Sequence, residues 1–367
     1  MTSEGEREPG PSTRTVHAGV PPGEQGEPLR PGPVLAAPYH LRGAADAAPY
    51  GYGRDANPTW THLERAIGEL DGGEAVAFAS GMAAVTAVLL GFLRPGDVLV
   101  VAGDGYFAVR AVAEERLAPL GIEVRLVPTD TEQVLAALDG ASLVWLETPS
   151  NPRLDVCDVA AVAGATDALV AVDNTVATPL GQRPLALGAD LAMLSGTKSL
   201  AGHSDVLLGA VSAADPAHAA ALRHWRTQTG AIPGGFEAWL AHRSLATLGL
   251  RLERSSANAA ALAALLRGRE DVLEVVHPSG PVAERQMTFA GPLVGFTLAS
   301  EEHAQRFLDA CELVAEATSF GGVHSTAERR GRWGTDAVAD GFIRFSAGCE
   351  DTADLLADVE RALDATG

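Results

Sequence analysis

Between about residues 60 and 212 the chain repeats one pattern: a short unbroken apolar run, a turn, then an amphipathic segment. The runs are 75–79, 98–102, 122–127, 143–146, 168–172, 191–194 and 206–211. Apart from 122–127, where Glu123 and Arg125 interrupt it, none alternates polar with apolar positions, so the runs read as strands buried on both faces. The set predicts an α/β fold with a mostly parallel sheet and helices on each side. From about 214 to 266 the spacing turns helical and ends in a long Ala/Leu/Arg-rich stretch. Apolar runs at 272–276 and 293–298, a helix from about Glu301, a run at 342–346 and a last helix from about Asp351 predict a smaller α+β C-terminal domain. The expected division is an N-terminal arm at 1–58, a large domain at 59–245 and a small domain at 246–367. The first 35 residues, rich in Gly, Pro and Glu, read as extended chain with little to pack against in their own subunit.

Composition narrows the partners. The chain has 367 residues, with 27 Lys and Arg against 47 Asp and Glu, a net charge of −20. A chain so acidic repels phosphate backbones and anionic membranes, so neither nucleic acid nor membrane is an expected partner. The uncharged stretch 75–93 has the length of a membrane span, but Ser80-Gly81 divides it into a strand-like and a helix-like half. The three cysteines, Cys157, Cys311 and Cys349, stand far apart and no Cys/His metal spacing occurs, so reduced thiols and no metal are expected. The start, Met-Thr-Ser-Glu-Gly-Glu-Arg-Glu, is acidic and does not read as a signal peptide, and the expected location is cytoplasmic.

In open α/β sheets ligands bind beyond the carboxyl ends of the strands. After the successive runs stand Ser80-Gly81-Met82, Gly103-Asp104-Gly105-Tyr106, Glu147-Thr148-Pro149-Ser150-Asn151-Pro152, Asp173-Asn174-Thr175 and Ser195-Gly196-Thr197-Lys198. A glycine-opened helix start offers free N–H groups and a positive dipole end to an anion, and Ser195 and Thr197 add hydroxyls. Lys198 is placed to condense with an aldehyde. Asp173 can pair with a protonated ring nitrogen, and Tyr106 can stack on a flat ring. Each feature alone is ordinary, since a strand-end Asp often caps a helix and a Ser-Gly pair often makes a turn. Together they describe pyridoxal 5′-phosphate. A competing pattern is Gly103-Asp104-Gly105-Tyr106-Phe107-Ala108 with Glu123 twenty positions on, which matches a dinucleotide fingerprint and would mean a nicotinamide-dependent oxidoreductase. That reading leaves the Lys and Asp unexplained.

The strings Tyr50-Gly51-Tyr52-Gly53-Arg54…Asn57-Pro58-Thr59, Ser80-Gly81-Met82-Ala83-Ala84, Glu147-Thr148-Pro149-Ser150-Asn151-Pro152, Val172-Asp173-Asn174-Thr175, Ser195-Gly196-Thr197-Lys198, Gly202-His203-Ser204-Asp205 and Arg344-Phe345-Ser346 resemble the Cys/Met-metabolism pyridoxal-phosphate enzymes. The resemblance runs in order from about Thr13 to the C-terminus. It implies fold type I, like aspartate aminotransferase, in a homotetramer of two dimers whose arms reach the neighbouring subunit. It makes Lys198 the cofactor-linked lysine, Asp173 the ring-nitrogen partner and Tyr106 the stacking ring, these three being the catalytic set. It gives Gly81, Met82, Thr175, Ser195 and Thr197 to the cofactor, with Tyr52 and Arg54 serving the phosphate of the neighbour. A small amino-acid substrate would meet Arg344 through its α-carboxylate, with Ser319 and Asn151 nearby.

The chain also departs from the family pattern. Phe107, Ala108 and Val109 follow Tyr106, Thr318 precedes Ser319, and Val323-His324-Ser325-Thr326 follows Gly322. These positions are expected to line the side-chain end of the substrate pocket, with His324 structural or pocket-lining. The string Ala-Glu-Arg-Arg-Gly-Arg-Trp-Gly at 327–334 most resembles the shorter bacterial cystathionine γ-lyases. The expectation is therefore α,γ-elimination on cystathionine, with Lys198 moving the α- and β-protons and Tyr106 protonating the leaving group. A γ-replacing enzyme, cystathionine γ-synthase or O-acylhomoserine sulfhydrylase, comes second. A specialised-metabolism member acting on another γ-substituted amino acid comes third.

Overall fold

A computed structural model describes residues 9–366 of the chain. The first eight residues of the expected arm, and Gly367, lie outside the described residues. Seven strands form the larger sheet: β1 (Glu74–Phe78), β2 (Val98–Ala102), β3 (Glu123–Val127), β4 (Leu143–Glu147), β5 (Leu169–Asp173), β6 (Leu191–Ser195) and β7 (Gly209–Ala213). Their spatial order is β1-β7-β6-β5-β4-β2-β3. The pairings β6–β5, β5–β4, β4–β2 and β2–β3 are parallel, as the unbroken apolar runs predict. Alternate residues of each strand feed opposite cores. Val76, Phe78 and Trp145 pack with the helices Gly81–Phe92 and Pro216–Thr229, while Ala75 and Ala77 pack with Pro58–Asp71 and Gly235–Leu245.

One strand runs the other way. β7 is antiparallel to both β1 and β6, because residues 196–208 return directly from β6 without a crossover helix. The apolar run at 206–211 predicts an earlier strand start than the one observed. Val206 and Leu208 instead pack inward from the loop, and Thr197 holds the Leu208 main chain, so the ladder begins at Gly209. The reversal brings the first residue of β7 to the rim where β6 ends, paired with Ser195. A Cβ on Gly209 would lie 2.2 Å from the Ser80 carbonyl oxygen, so this glycine sets how closely β7 approaches the start of helix Gly81–Phe92.

The stretch 214–266 is three helices, Pro216–Thr229, Gly235–Leu245 and Leu248–Arg267. The first ends at Gly230 in the left-handed region, φ 71°, and Pro233 follows. The last gives Leu248 and Leu252 to the large sheet's core and Leu262 and Leu266 to the second core. The expected division at 245/246 stays a proposal, and the helix just after it packs into both cores. The second sheet has the order β10-β11-β12-β9-β8, with β8 (Glu274–Val276), β9 (Leu293–Thr297), β10 (Ala315–Glu316), β11 (Thr326–Arg329) and β12 (Phe342–Ser346). β10 and β11 have no counterpart among the apolar runs, since their residues are short and mostly polar.

The start of the chain is not the bare extended arm its composition suggests. Pro11–His17 is helical, the Gly19 N–H donates to Glu69 at 2.9 Å, and the Arg14 guanidinium donates to the Leu70 carbonyl at 2.9 Å. Trp239 Nε1 donates to the Pro31 carbonyl at 3.2 Å. These bonds tie residues 11–34 to their own subunit. Gly209→Ala is expected to destabilise the protein by about 1–3 kcal/mol in denaturant titration, the usual cost of forcing an atom into a filled site. Gly23→Ala, where a Cβ meets nothing within 4 Å, should leave the midpoint unchanged.

Candidate active site

The carboxyl rim of the large sheet opens into a cavity of about 570 Å³. Helix Gly81–Phe92 begins there, with the Ser80 hydroxyl accepting from the Ala83 N–H at 3.1 Å. The amides of Gly81 and Met82 are among the first-turn donors that have no partner within a helix. A Cβ on Gly81 would sit 2.9 Å from Ser195 Oγ, so only glycine lets the helix start and that hydroxyl share one small space. Thr197 also lines the cavity, but its hydroxyl donates to the Leu208 carbonyl at 3.2 Å and accepts from the Leu208 N–H at 3.0 Å. It fastens the loop that carries Lys198.

Two buried carboxylates stand side by side on adjacent strands, Glu147 opposite Asp173. Glu147 accepts from the main-chain N–H groups of Tyr106 at 2.6 Å and Asn151 at 2.9 Å. Asp173 Oδ1 accepts from the Thr175 N–H at 3.0 Å and the Thr175 hydroxyl at 2.5 Å. That hydroxyl in turn accepts from the Ser195 N–H at 2.8 Å, so Thr175 links the aspartate to the anion cup. Burial pushes both carboxyls above their ordinary range, and the charge of Asp173 adds to the rise at Glu147. Among the described residues no basic side chain hydrogen-bonds to either carboxylate, so the pair is short of a cation. The would-be dinucleotide turn at 103–108 faces this pair. A Cβ on Gly105 would lie 2.7 Å from Glu147 Oε2, a neighbour that repels pyrophosphate.

The cations stand opposite. Lys198 Nζ donates to Ser319 Oγ at 2.7 Å and lies 5.0 Å from the centroid of the Phe320 ring. Burial first, then the nearby Arg344 charge, pulls its amine down to about 8. Ser319 adopts φ 74°, a left-handed conformation that a non-glycine residue holds only when its surroundings fix it. Its carbonyl accepts from Arg344 Nη2 at 3.0 Å, and Asn151 Oδ1 accepts from Arg344 Nη1 at 2.7 Å. Arg344, on β12, is buried, and burial pulls its guanidinium down to about 10. Tyr106 follows the β2 strand end, 36% exposed, with its ring 5.0 Å from that of Phe107.

Gly81, Met82, Tyr106, Asn151, Asp173, Thr175, Ser195, Thr197, Lys198, Ser319 and Arg344 therefore share one cavity. Tyr52 and Arg54 do not join it. Tyr52 is exposed, and Arg54 lies over it and donates to the Thr227 carbonyl at 2.9 Å. Val323, His324, Ser325 and Thr326 also stay out of the cavity, against expectation. The Glu350 carboxylate takes the Ser325 N–H and hydroxyl, and Val323 bonds to the Gly202 carbonyl, which turns the segment away and leaves His324 exposed. Phe107 and Thr318 line that wall as expected, Ala108 and Val109 do not, and Phe320, Arg330, Trp333 and Thr335 complete it. Behind it Glu328, 2% exposed, accepts from Arg344, from Arg330 at 2.9 Å and from Trp333 Nε1 at 3.0 Å. No spacing in the sequence marks this network, since Glu328 lies on β11 while Arg330 begins the short helical turn Arg330–Trp333 that follows it.

The donor set fits pyridoxal phosphate. Main-chain amides and a hydroxyl converge where only a Cβ-free residue fits, a carboxylate pair lacks a cation, and an amine of lowered basicity stands within the same cavity. Comparison with known proteins agrees. Residues 12–364 match the family model of the Cys/Met metabolism PLP-dependent enzymes. A Streptomyces coelicolor protein whose name assigns it provisionally to the cystathionine gamma-lyases is 56% identical, over 98% of this chain and 94% of its own. A cystathionine gamma-synthase of Mycobacterium bovis is 37% identical over 96% of this chain and 97% of its own. The crystal structure of a methionine gamma lyase from Micromonospora echinospora superposes with a TM-score of 0.90 at 39% identity, covering 96% of this chain and 98% of that one. The fold is thus PLP fold type I, the cofactor is pyridoxal 5′-phosphate, and the chain belongs to the Cys/Met metabolism PLP-dependent enzymes.

Proposed function

We propose that this enzyme is a carbon–sulfur lyase that carries out α,γ-elimination on cystathionine, giving cysteine, 2-oxobutanoate and ammonia. The observation that supports this reading most is the 56% identity, over nearly the whole chain, to the Streptomyces coelicolor relative. A γ-replacing reaction is the second reading, favoured by the Mycobacterium bovis relative.

The bound cofactor supplies an electron sink for charge that develops on the substrate. The chain's residues do the rest. Arg344, held by Asn151 and the Ser319 carbonyl, receives the substrate α-carboxylate in a two-pronged contact. Asp173, oriented by Thr175, holds the proton of the ring nitrogen. Lys198 Nζ, steered by Ser319 Oγ, takes the proton from the α-carbon and then moves one at the β-carbon. Tyr106 donates a proton to the departing γ-sulfur. Its own hydroxyl is pushed up by burial, which keeps that proton in place at neutral pH. Gly81, Met82, Ser195 and Thr197 would hold the phosphate end.

We assign Tyr52 and Arg54 to the phosphate of a neighbouring subunit in a homotetramer built from dimers. Their exposure and their place outside their own cavity support this. Among the described residues no helix is long and apolar enough to cross a membrane.

Purified enzyme offered cystathionine should release 2-oxobutanoate without added cysteine; cystathionine formation from O-succinylhomoserine and cysteine, with no release from cystathionine, would establish the second reading instead. Lys198→Ala is expected to lower turnover by at least about a thousandfold and to leave a protein that does not develop the cofactor's yellow colour covalently. In cofactor-free enzyme the rate of colour development on adding pyridoxal phosphate should rise with pH around a midpoint near 8, because only the unprotonated amine condenses. Arg344→Gln removes a cation that lowers this value, so the midpoint should move to higher pH. Mixing inactive Arg54→Ala and Lys198→Ala proteins under subunit exchange should restore activity, since a hybrid dimer has one site with both lesions and one with neither.

A further inference from the structure

The wall that runs on from Arg344 is a chain of ion pairs. Glu328 bridges Arg344 and Arg330. Asp336 Oδ2 takes Arg330 Nε at 2.9 Å and Nη2 at 2.6 Å, and Arg110 approaches Asp336 Oδ1 at 3.5 Å while donating to the Thr335 carbonyl at 2.7 Å. The Glu328, Arg330, Asp336 and Arg344 side chains are 2%, 7%, 3% and 4% exposed, so solvent screens them little. Three guanidiniums and two carboxylates leave one surplus positive charge. An α-carboxylate on Arg344 takes it up, and the wall is then neutral.

The same wall lies at the leaving-group end. Arg330 lines the same cavity as Tyr106, the residue assigned to protonate the departing sulfur. Arg330 keeps two N–H groups beyond the three that bond Asp336 and Glu328. Thr335 lines the cavity as a residue, but its hydroxyl is itself shut off from solvent. Phe107 and Trp333, 38% and 54% exposed, present apolar faces. The wall therefore has apolar surface and two spare Arg330 N–H groups for a polar end, but that guanidinium's charge is already matched by Asp336 and Glu328, leaving no cation for a second free anion.

We propose that Asp336 and Glu328 make Arg330 the centre of a charge-neutral specificity wall, which selects γ-substituted amino acids whose leaving group carries no net charge and rejects those ending in a free anion. This rests on the γ-elimination reading above. A second buried anion would meet Glu328 and Asp336 uncompensated, and discrimination by such a clash is a matter of repulsion as much as attraction.

A size-matched series tests it: cystathionine, whose far end is zwitterionic; S-(2-carbamoylethyl)-homocysteine, neutral; and S-(2-carboxyethyl)-homocysteine, anionic. Release of 2-oxobutanoate from wild-type enzyme should give a kcat/KM for the anionic compound about tenfold or more below the other two. In Asp336→Asn the wall keeps one positive charge after the α-carboxylate binds, so the ratio of anionic to neutral kcat/KM should rise about tenfold. Equal wild-type efficiency toward the anionic and neutral compounds would overturn the proposal, as would an unchanged ratio in a folded Asp336→Asn enzyme. If that variant does not fold, the wild-type series decides alone. Release from none of the three would instead reject γ-elimination itself.

Discussion

The site depends on burying charge of both signs along one sheet rim. Glu147 and Asp173 stand together on neighbouring strands, and Lys198, Arg344 and Arg330 stand across the cavity from them. An isolated buried charge is too costly to keep, so each has a compensating device. The carboxylates take main-chain and hydroxyl donors, Arg344 takes an amide, a carbonyl and Glu328, and Arg330 takes two carboxylates. What stays uncompensated is the carboxylate pair's missing cation and one surplus positive charge beside Arg344. Those two gaps match a protonated ring nitrogen and a substrate carboxylate.

Close backbone approach makes this rim compact. Gly81 lets Ser195 meet the helix start, Gly105 lets a loop lie against Glu147, and Gly209 lets β7 reach Ser80. The direct return from β6 to β7 is the same economy at the level of topology. It keeps residues 196–208 short, so the loop bearing Lys198 is closed at its base by the Ser195–Gly209 pairing and by Thr197 bonding to Leu208.

The parallel core strands and the rim residues that follow them were legible because period and position alone carry that information. Runs such as 98–102 and 342–346 coincide with β2 and β12, and Ser80 caps the helix that Gly81 opens. The reversed β7 was not legible, since an apolar run has no direction. The packing of residues 11–34 on their own subunit was hidden by a composition that says only that they are polar and turn-rich. His324 and Glu328 show the limit most clearly. Both lie near the motif that ends in Ser319-Phe320-Gly321-Gly322, yet one points outward and the other anchors the pocket wall.

The sequence by itself determined the α/β class, the family, the cofactor and the residues at the strand ends, because each follows from local spacing and chain order. Only the tertiary structure decided which charges share a partner. Glu328, Arg330, Asp336 and Arg344 form one network because β11 and β12 are antiparallel neighbours, with Glu328 opposite Arg344 in register. Pairing between strands is a through-space fact, and no period along the chain records it.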